Sequence, residues 1–421
     1  MPLVERPMVR VLVVSRIFAP EPAAASFRLR ALTDALDDAG AHVMVLTTRL
    51  PPATAGTPDG TRAGVRVRRW PVLRDADGYV RGYLQYMSFD VPVFFRVLLA
   101  RGVDVVVNEP PPTTGFMVRL ACAVRRTPYV YYACDILGDA VGTTSAPAVV
   151  VRVVRAVEGW AWRGARAILS VSAGVTRRLA ELGVSDGVHE VGNGIDIEAF
   201  RAEGDAVVLP ARDDAGSDAR SGVPYFVYAG TASEVHGAGI FARAMLTVHA
   251  ADPRAQLVFI GQGAEKAAIA AECASLPTGT VTFLPQAPPQ EVARWLRGAV
   301  ASLASVRPGG GYDFSFPTKI YASVACGTPA LYAGVGPART LVAEEQLGRA
   351  VDYDDEAVAG AMLAALEAHD LETEPVADRG PSDAETREHR RARLASWAAE
   401  NASLAGVARE AARVVTAAAD R

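Results

Sequence analysis

Two lysines, Lys266 and Lys319, stand in a chain whose other basic side chains are arginines. A lysine kept in such a background points to a site that needs a compact ammonium rather than a planar guanidinium. Lys319 lies in the run 316–329, which opens Phe316-Pro317-Thr318-Lys319, closes Cys326-Gly327-Thr328-Pro329 and reads as a loop, a helix start, a helix stop and then an apolar strand. Pro317 suits a first helical turn, and the free N–H groups of that turn can receive an anion with Thr318 and Lys319 beside it. The chemistry implied is phosphate binding, against the plainer reading of Lys319 as one solvated charge. Two Gly-rich turns offer related chemistry: Gly230-Thr231, and Gly261-Gln262-Gly263, each after an apolar run and before a helical stretch. Taken singly, such turns are often no more than tight corners.

The elements that must position these residues follow from periodicity. Nearly continuous apolar runs at 9–14, 43–47, 103–107, 129–132 and 167–171 alternate with helical patterns, the first of them near 25–39. That alternation predicts a parallel sheet covered on both faces, a doubly wound domain. An acidic Gly/Ser-containing stretch follows, and the alternation restarts at 225–230, 257–261, 281–284, 300–303 and 330–332. The expected organisation is an α/β chain with a Rossmann-like domain over 1–203, a linker over 204–223, a second Rossmann-like domain over 224–383 and helices packing back over 384–421. Ligands of such sheets bind beyond the carboxyl ends of the strands, so two of them facing a cleft would share it.

Composition narrows the function classes. At 421 residues with 50% hydrophobic residues the chain fills two cores. A formal charge of −4 argues against a broad nucleic-acid-binding surface, so no nucleic-acid partner is expected. The preference for Ala, Val and Arg is that of a high-GC genome such as an actinobacterial one. Four cysteines without Cys-x-x-Cys spacing read as free thiols of a reducing compartment. The first ten residues hold no signal-peptide apolar core, and Arg96, Arg101 and Asp104 break the longest apolar stretch. A cytoplasmic protein is expected, with membrane association left open but not indicated. The aromatic stretch 79–89, with Phe94 and Phe95, offers contact with a lipid or an aromatic acceptor, but reads first as core and cleft-wall packing because it lacks the basic face of a membrane-surface helix.

In the order they occur, Ser170-Val171-Ser172, Gly192-Asn193-Gly194-Ile195-Asp196, Phe259-Ile260-Gly261-Gln262-Gly263, the run 281–287 and Ala325-Cys326-Gly327-Thr328-Pro329 resemble the retaining GT-B glycosyltransferases of family four, over nearly the whole chain. The resemblance implies two Rossmann-like domains, a nucleoside-diphosphate sugar as co-substrate with no other cofactor, and transfer to a small-molecule or glycan acceptor. It implies a donor site in the second domain built from Gly230, Thr231, His236, Gly261, Gly263, Arg307, Asp313, Pro317, Thr318 and Lys319. Retention in this family is attributed to same-face attack assisted by the leaving diphosphate, without an enzyme nucleophile.

The departures from that pattern are specific. The family's glycine pair after the first strand is replaced by 20–26, Pro-rich and ending in Ser26, with Arg28 following, so Ser26 and Arg28 become the acceptor-side candidates. The arginine and lysine that grip the diphosphate correspond to Thr231 and His236, leaving Lys319 and Arg307 to neutralise it. The paired glutamates fall at Phe314 and Ala322, with Asp313 one residue from the first. The histidine after the fourth strand is replaced by Asn108 and Glu109. Glu109 and Asp135, each after a strand, are the candidates to orient or deprotonate an acceptor hydroxyl, against capping or buried structural roles. No metal clamp follows a strand of the donor half, so a metal-independent hexosyltransferase is expected, with UDP-sugars among the candidate donors. A GT-B epimerase, or a non-catalytic GT-B binding subunit, are the alternatives that the missing groups leave open.

Overall fold

The computed structural model of the chain describes residues 8–21, 23–75, 78, 80, 82–142, 147–210, 222–373 and 386–420. Most of the expected linker (211–221), Pro22, Tyr79, Arg81 and the first residues of the expected C-terminal segment (384 and 385) lie outside the described residues. The chain divides into two compact units, Met1–Gly194 with Leu404–Arg421, and Ile195–Ser403. The first crossing therefore falls at Gly194, ahead of the expected boundary at 203, and the chain returns to the first unit only for its last helix.

Unit 1 has strands β1 (Arg10–Val14), β2 (His42–Thr48), β3 (Val65–Trp70), β4 (Val105–Asn108), β5 (Tyr129–Ala133), β6 (Ala167–Ser170) and β7 (Val188–Glu190). Its helices are α1 (Ala24–Asp38), α2 (Tyr83–Leu99), α3 (Pro112–Arg125), α4 (Leu137–Gly142), α5 (Ala148–Arg163) and α6 (Ala173–Glu181). The strands pair in the order β3-β2-β1-β4-β5-β6-β7, all parallel. The central strands are buried throughout because each is apolar on both faces: Leu12, Val13, Val14, Val105, Val106 and Val107 have no exposure. The edge strand β3 alternates instead, with Arg66, Arg68 and Trp70 on its exposed side.

Unit 2 continues with β8 (Tyr225–Ala229), α7 (Gly239–Ala251), β9 (Gln256–Ile260), α8 (Lys266–Glu272), β10 (Val281–Leu284), α9 (Pro289–Gly298), β11 (Ala301–Val306), α10 (Lys319–Ala325), β12 (Ala330–Gly334), α11 (Pro337–Glu344), β13 (Gly348–Val351), α12 (Asp355–Thr373) and α13 (Arg387–Asn401). The sheet order is β10-β9-β8-β11-β12-β13, again parallel. The last helix, α14 (Leu404–Ala419), packs on α1 and across β4, β5 and β6, burying Ala411, Ala412 and Val415. The C-terminal helices thus part company, since α13 packs on α10 of unit 2 through Leu394 and Ala398.

In each unit the strand order reverses beside the first strand, between β1 and β4 and between β8 and β11. The crossovers on either side of that point cover opposite faces, which leaves a crevice beyond the strand ends. Among the described residues no helix is long and apolar enough to cross a membrane. Cys122, Cys273 and Cys326 are buried free thiols and Cys134 is half-buried. The aromatic stretch divides: Phe89 is buried in the core, whereas Tyr83 and Phe95 face solvent.

Candidate functional site

In unit 2 the reversal point brings Gly230, Tyr228, His236 and Lys319 together. Gly230 follows β8 at φ 143°, a region open to glycine, and a Cβ there would come within 3.2 Å of the Lys319 ammonium. Nζ of Lys319 sits 3.7 Å from the centre of the Tyr228 ring. The nitrogen is out of contact with solvent and has no hydrogen-bond partner, although the residue as a whole keeps some exposure. Removal from water disfavours the charged form, pushing the Lys319 pKa down from 10.5 to about 7. A cation held this way lacks an anion.

His236 supplies no second charge. Burial, with the nearby Lys319 charge, lowers its pKa to about 3, so the imidazole is neutral, with Nδ1 2.8 Å from Ser233 Oγ. Thr231 is exposed, and its carbonyl accepts from the Tyr228 hydroxyl at 3.0 Å. Arg307, the remaining cation, is exposed at the end of β11, and its backbone N–H donates to Val235 O at 2.9 Å.

Several expected donor-site residues have structural work of their own. A Cβ at Gly261 would lie 2.3 Å from the Gly230 carbonyl oxygen, and one at Gly263 would lie 2.0 Å from that of Ala232. These glycines let two strand-end loops lie against each other, joined by the Ala232 N–H donating to Gln262 O. Lys266 holds the same corner, donating to the carbonyls of Gly261 and Leu284 at 3.1 and 2.9 Å. Asp313 accepts from the Gly309 N–H at 3.0 Å and so closes its own loop. Pro317 sits one residue ahead of the N-cap Thr318 rather than inside the first turn, and Thr318 makes no side-chain cap. Ala322 is 6% exposed within an apolar cluster that includes Val227, Val258 and Leu394. A carboxylate at position 322 would enter apolar surroundings, which accounts for alanine there.

Lys319 also makes the fold pH-sensitive. Its folded pKa lies below its unfolded value, so the unfolded chain binds the extra proton between pH 7 and 10.5 and stability rises with pH across that window. The cost is fully present below pH 7. Lys319→Met is expected to raise stability below pH 7 by on the order of a few kcal/mol and to lose that advantage as pH climbs to 10.5, which denaturant melts across pH would show.

In unit 1 the reversal point carries a buried ion pair. Val14 on β1 stands in register with Asn108 on β4, so Ser15 and Glu109 emerge side by side, and the Glu109 N–H donates to Val14 O. Glu109, 3% exposed, accepts from Arg28 Nη2 at 2.5 Å on one oxygen and from Ser15 Oγ at 2.7 Å on the other. Arg28, on α1, lies over the Tyr132 ring at 5.0 Å and leaves its Nε without a partner. Both Glu109 oxygens are engaged, so it holds Arg28 rather than standing free as a base.

Asn108 departs from expectation. It has no exposure, and both amide atoms are unpartnered beneath Gly115 of α3, so it faces the interior. Ser26, at 1% exposure in the first turn of α1, is likewise buried with its hydroxyl unpaired. Asp135 is different: the residue as a whole is exposed, yet withdrawal of its carboxyl from water raises the pKa from 3.8 to about 6, with Arg28 opposing and Glu109 adding to the rise. The turn after it is pinned by Glu158, which accepts from the N–H groups of Leu137 and Gly138 at 2.9 and 2.8 Å. Sequence reasoning missed Ser15, Tyr132, Tyr228 and Glu158. Ser15 was findable, since it is the first polar residue after an apolar run; the tyrosines read as ordinary strand residues.

Among the described residues no group of three or more His, Cys, Asp or Glu side chains is placed to hold a metal ion. Residues 24–194 match the family described as a glycosyl transferase 4-like domain, and residues 223–368 match the family described as glycosyl transferases group 1. No curated protein matches the chain. Among solved structures, sucrose-phosphate synthase from Thermosynechococcus elongatus is 18% identical with a TM-score of 0.65, the alignment covering 98% of this chain and 96% of that one. Anabaena Alr3699/HepE, solved with UDP-glucose, is 15% identical with a TM-score of 0.67, covering 97% and 99%. WaaG, a glycosyltransferase involved in lipopolysaccharide biosynthesis, is 14% identical with a TM-score of 0.65, covering 96% and 99%. The two family matches together span well over half the chain, and with two parallel Rossmann-like sheets they identify it as a member of the group 1 glycosyltransferases of the GT-B fold.

Proposed function

We propose that this enzyme transfers a hexosyl group from a UDP-sugar to a hydroxyl acceptor with retention of configuration and without a metal ion, in cell-envelope glycan or secondary-metabolite biosynthesis. The observation that carries the reading is Lys319, an ammonium withdrawn from solvent, unpartnered and beside the open backbone of Gly230. A diphosphate there supplies the missing anion and restores the proton that burial has loosened. The UDP-glucose bound by the Anabaena neighbour supports the choice of donor. As the sugar's bond to the diphosphate breaks, the acceptor oxygen bonds to the same carbon. Lys319 and Arg307 take up the charge left on the diphosphate. The acceptor's proton passes either to that diphosphate or to Asp135, whose carboxyl, partly withdrawn from water, is poised near pH 6.

Calorimetry with UDP and with uridine tests the assignment. Lys319→Met should weaken UDP by roughly 1.5–3 kcal/mol, the worth of a charge-assisted hydrogen bond, and leave uridine unaffected. At pH 8 the unaltered enzyme should take up protons as UDP binds, because its free Lys319 is largely neutral there, and the variant should not. Unchanged UDP affinity in a folded variant would refute the phosphate role. Activity that survives chelation would support transfer without a metal, and activity abolished by it would count against that part of the proposal.

A further inference from the structure

The helices α2, α3 and α5 lie side by side on one face of the unit 1 sheet, α2 against α3 and α3 against α5. Every exposed residue of α2 is apolar or aromatic, with Val91, Phe95 and Leu99 at successive turns 44, 54 and 75% exposed. A water-facing helix ordinarily reverses this pattern, with its charges outside. Here the one acid of α2, Asp90, is the residue turned inward, accepting from the Thr114 hydroxyl. The neighbouring helices continue the face: Val124 of α3 is 64% exposed, and Val149 and Val153 of α5 are 60 and 56% exposed.

Charge selects the kind of surface that would cover it. The three helices contain two acids, Asp90 and Glu158, and both are buried. Their exposed charges are arginines, Arg152 and Arg163 and also Arg155, which reaches Asp139 at 3.4 Å, with Arg126 capping α3. A second observation points the same way. At the last turn of α3 a cavity of about 540 Å³ is lined by Arg119, Arg126 and Arg166, with Asp420 at its wall. Nη1 of Arg119 is buried without a hydrogen-bond partner. Exposed apolar side chains among arginines, with no exposed acid on the three helices themselves, match an interface in which the apolar groups enter the acyl boundary and the guanidiniums meet headgroup phosphates.

We propose that the face formed by α2, α3 and α5 docks this enzyme peripherally on a bilayer containing anionic phospholipid. No described helix can span, so attachment is to the surface. The sequence of α2 alone ranks lipid contact behind core packing because its arginine partners lie on two other helices. The test is flotation of the full chain with vesicles of phosphatidylcholine alone and of phosphatidylcholine mixed with phosphatidylglycerol. The chain should float with the mixed vesicles only, and high salt should release it. Arg152→Glu reverses one charge and should lower the partition constant about tenfold or more. Phe95→Asp should lower it comparably, and both variants alter exposed residues, so their melting curves should match the parent's. No flotation, equal flotation on both vesicles, or unchanged flotation of both variants overturns the proposal. So does a soluble dimer by light scattering that Phe95→Asp dissociates, since the face would then bind a second copy.

Discussion

Glu109→Gln is expected to destabilise unit 1 by about 3–5 kcal/mol, the typical cost of leaving a buried charge without its partner. Arg28 is 6% exposed and its Nε already lacks an acceptor, so the guanidinium has no route to water once the carboxylate is neutralised. The amide keeps an oxygen for one hydrogen bond, but it cannot match both the charge and the second acceptor that Arg28 and Ser15 use. A denaturant melt of the full chain measures the loss. Pairing the change with Arg28→Met should recover most of it, because removing both charges removes the desolvation cost as well. An unchanged midpoint for Glu109→Gln alone would mean that the pair is not what holds these strand ends together.

The central strands were legible because their burial on both faces forces continuous apolar runs, and the expected runs at 9–14, 129–132 and 330–332 fall on β1, β5 and β12. The edges were not. β3 reads Val65-Arg66-Val67-Arg68-Arg69-Trp70, alternating rather than continuously apolar because it lies at the sheet edge, and β7 and β13 are three and four residues long. The unit boundary slipped because the reading followed composition, whereas the crossing at Gly194 lies ahead of any shift in composition. At the candidate site, Lys319 and Gly230 were legible from type and position. What could not be read is whether a polar residue after a strand turns toward solvent or inward. Asn108, Glu109 and Asp135 share that sequence position, yet the first two are buried and the third is exposed. That difference depends on Arg28 and Gly115, residues brought in from other elements.

Asp135→Asn should reduce turnover by about 10²–10⁴-fold with little change in UDP affinity, the range for loss of a positioned general base. With a pKa near 6, the carboxylate accepts a proton only above that pH, so kcat/KM of the parent should fall on the acid side of pH 6 and the variant should lack that limb. Stability separates this from a structural role. Because the folded pKa is raised above 3.8, the folded chain binds the extra proton between pH 3.8 and 6 and stability falls with rising pH across that window. Ionised Asp135 is therefore a burden at neutral pH, and the amide should leave the melting temperature equal or higher while turnover drops. Glu109→Gln supplies a second check in an enzyme where Asp135 is untouched. Removing the Glu109 charge withdraws one cause of the raised pKa and leaves Arg28 to pull it down, so the acid limb should move to lower pH. An acid limb that stays in place in both variants would assign it to another group and leave the departing diphosphate to deprotonate the acceptor.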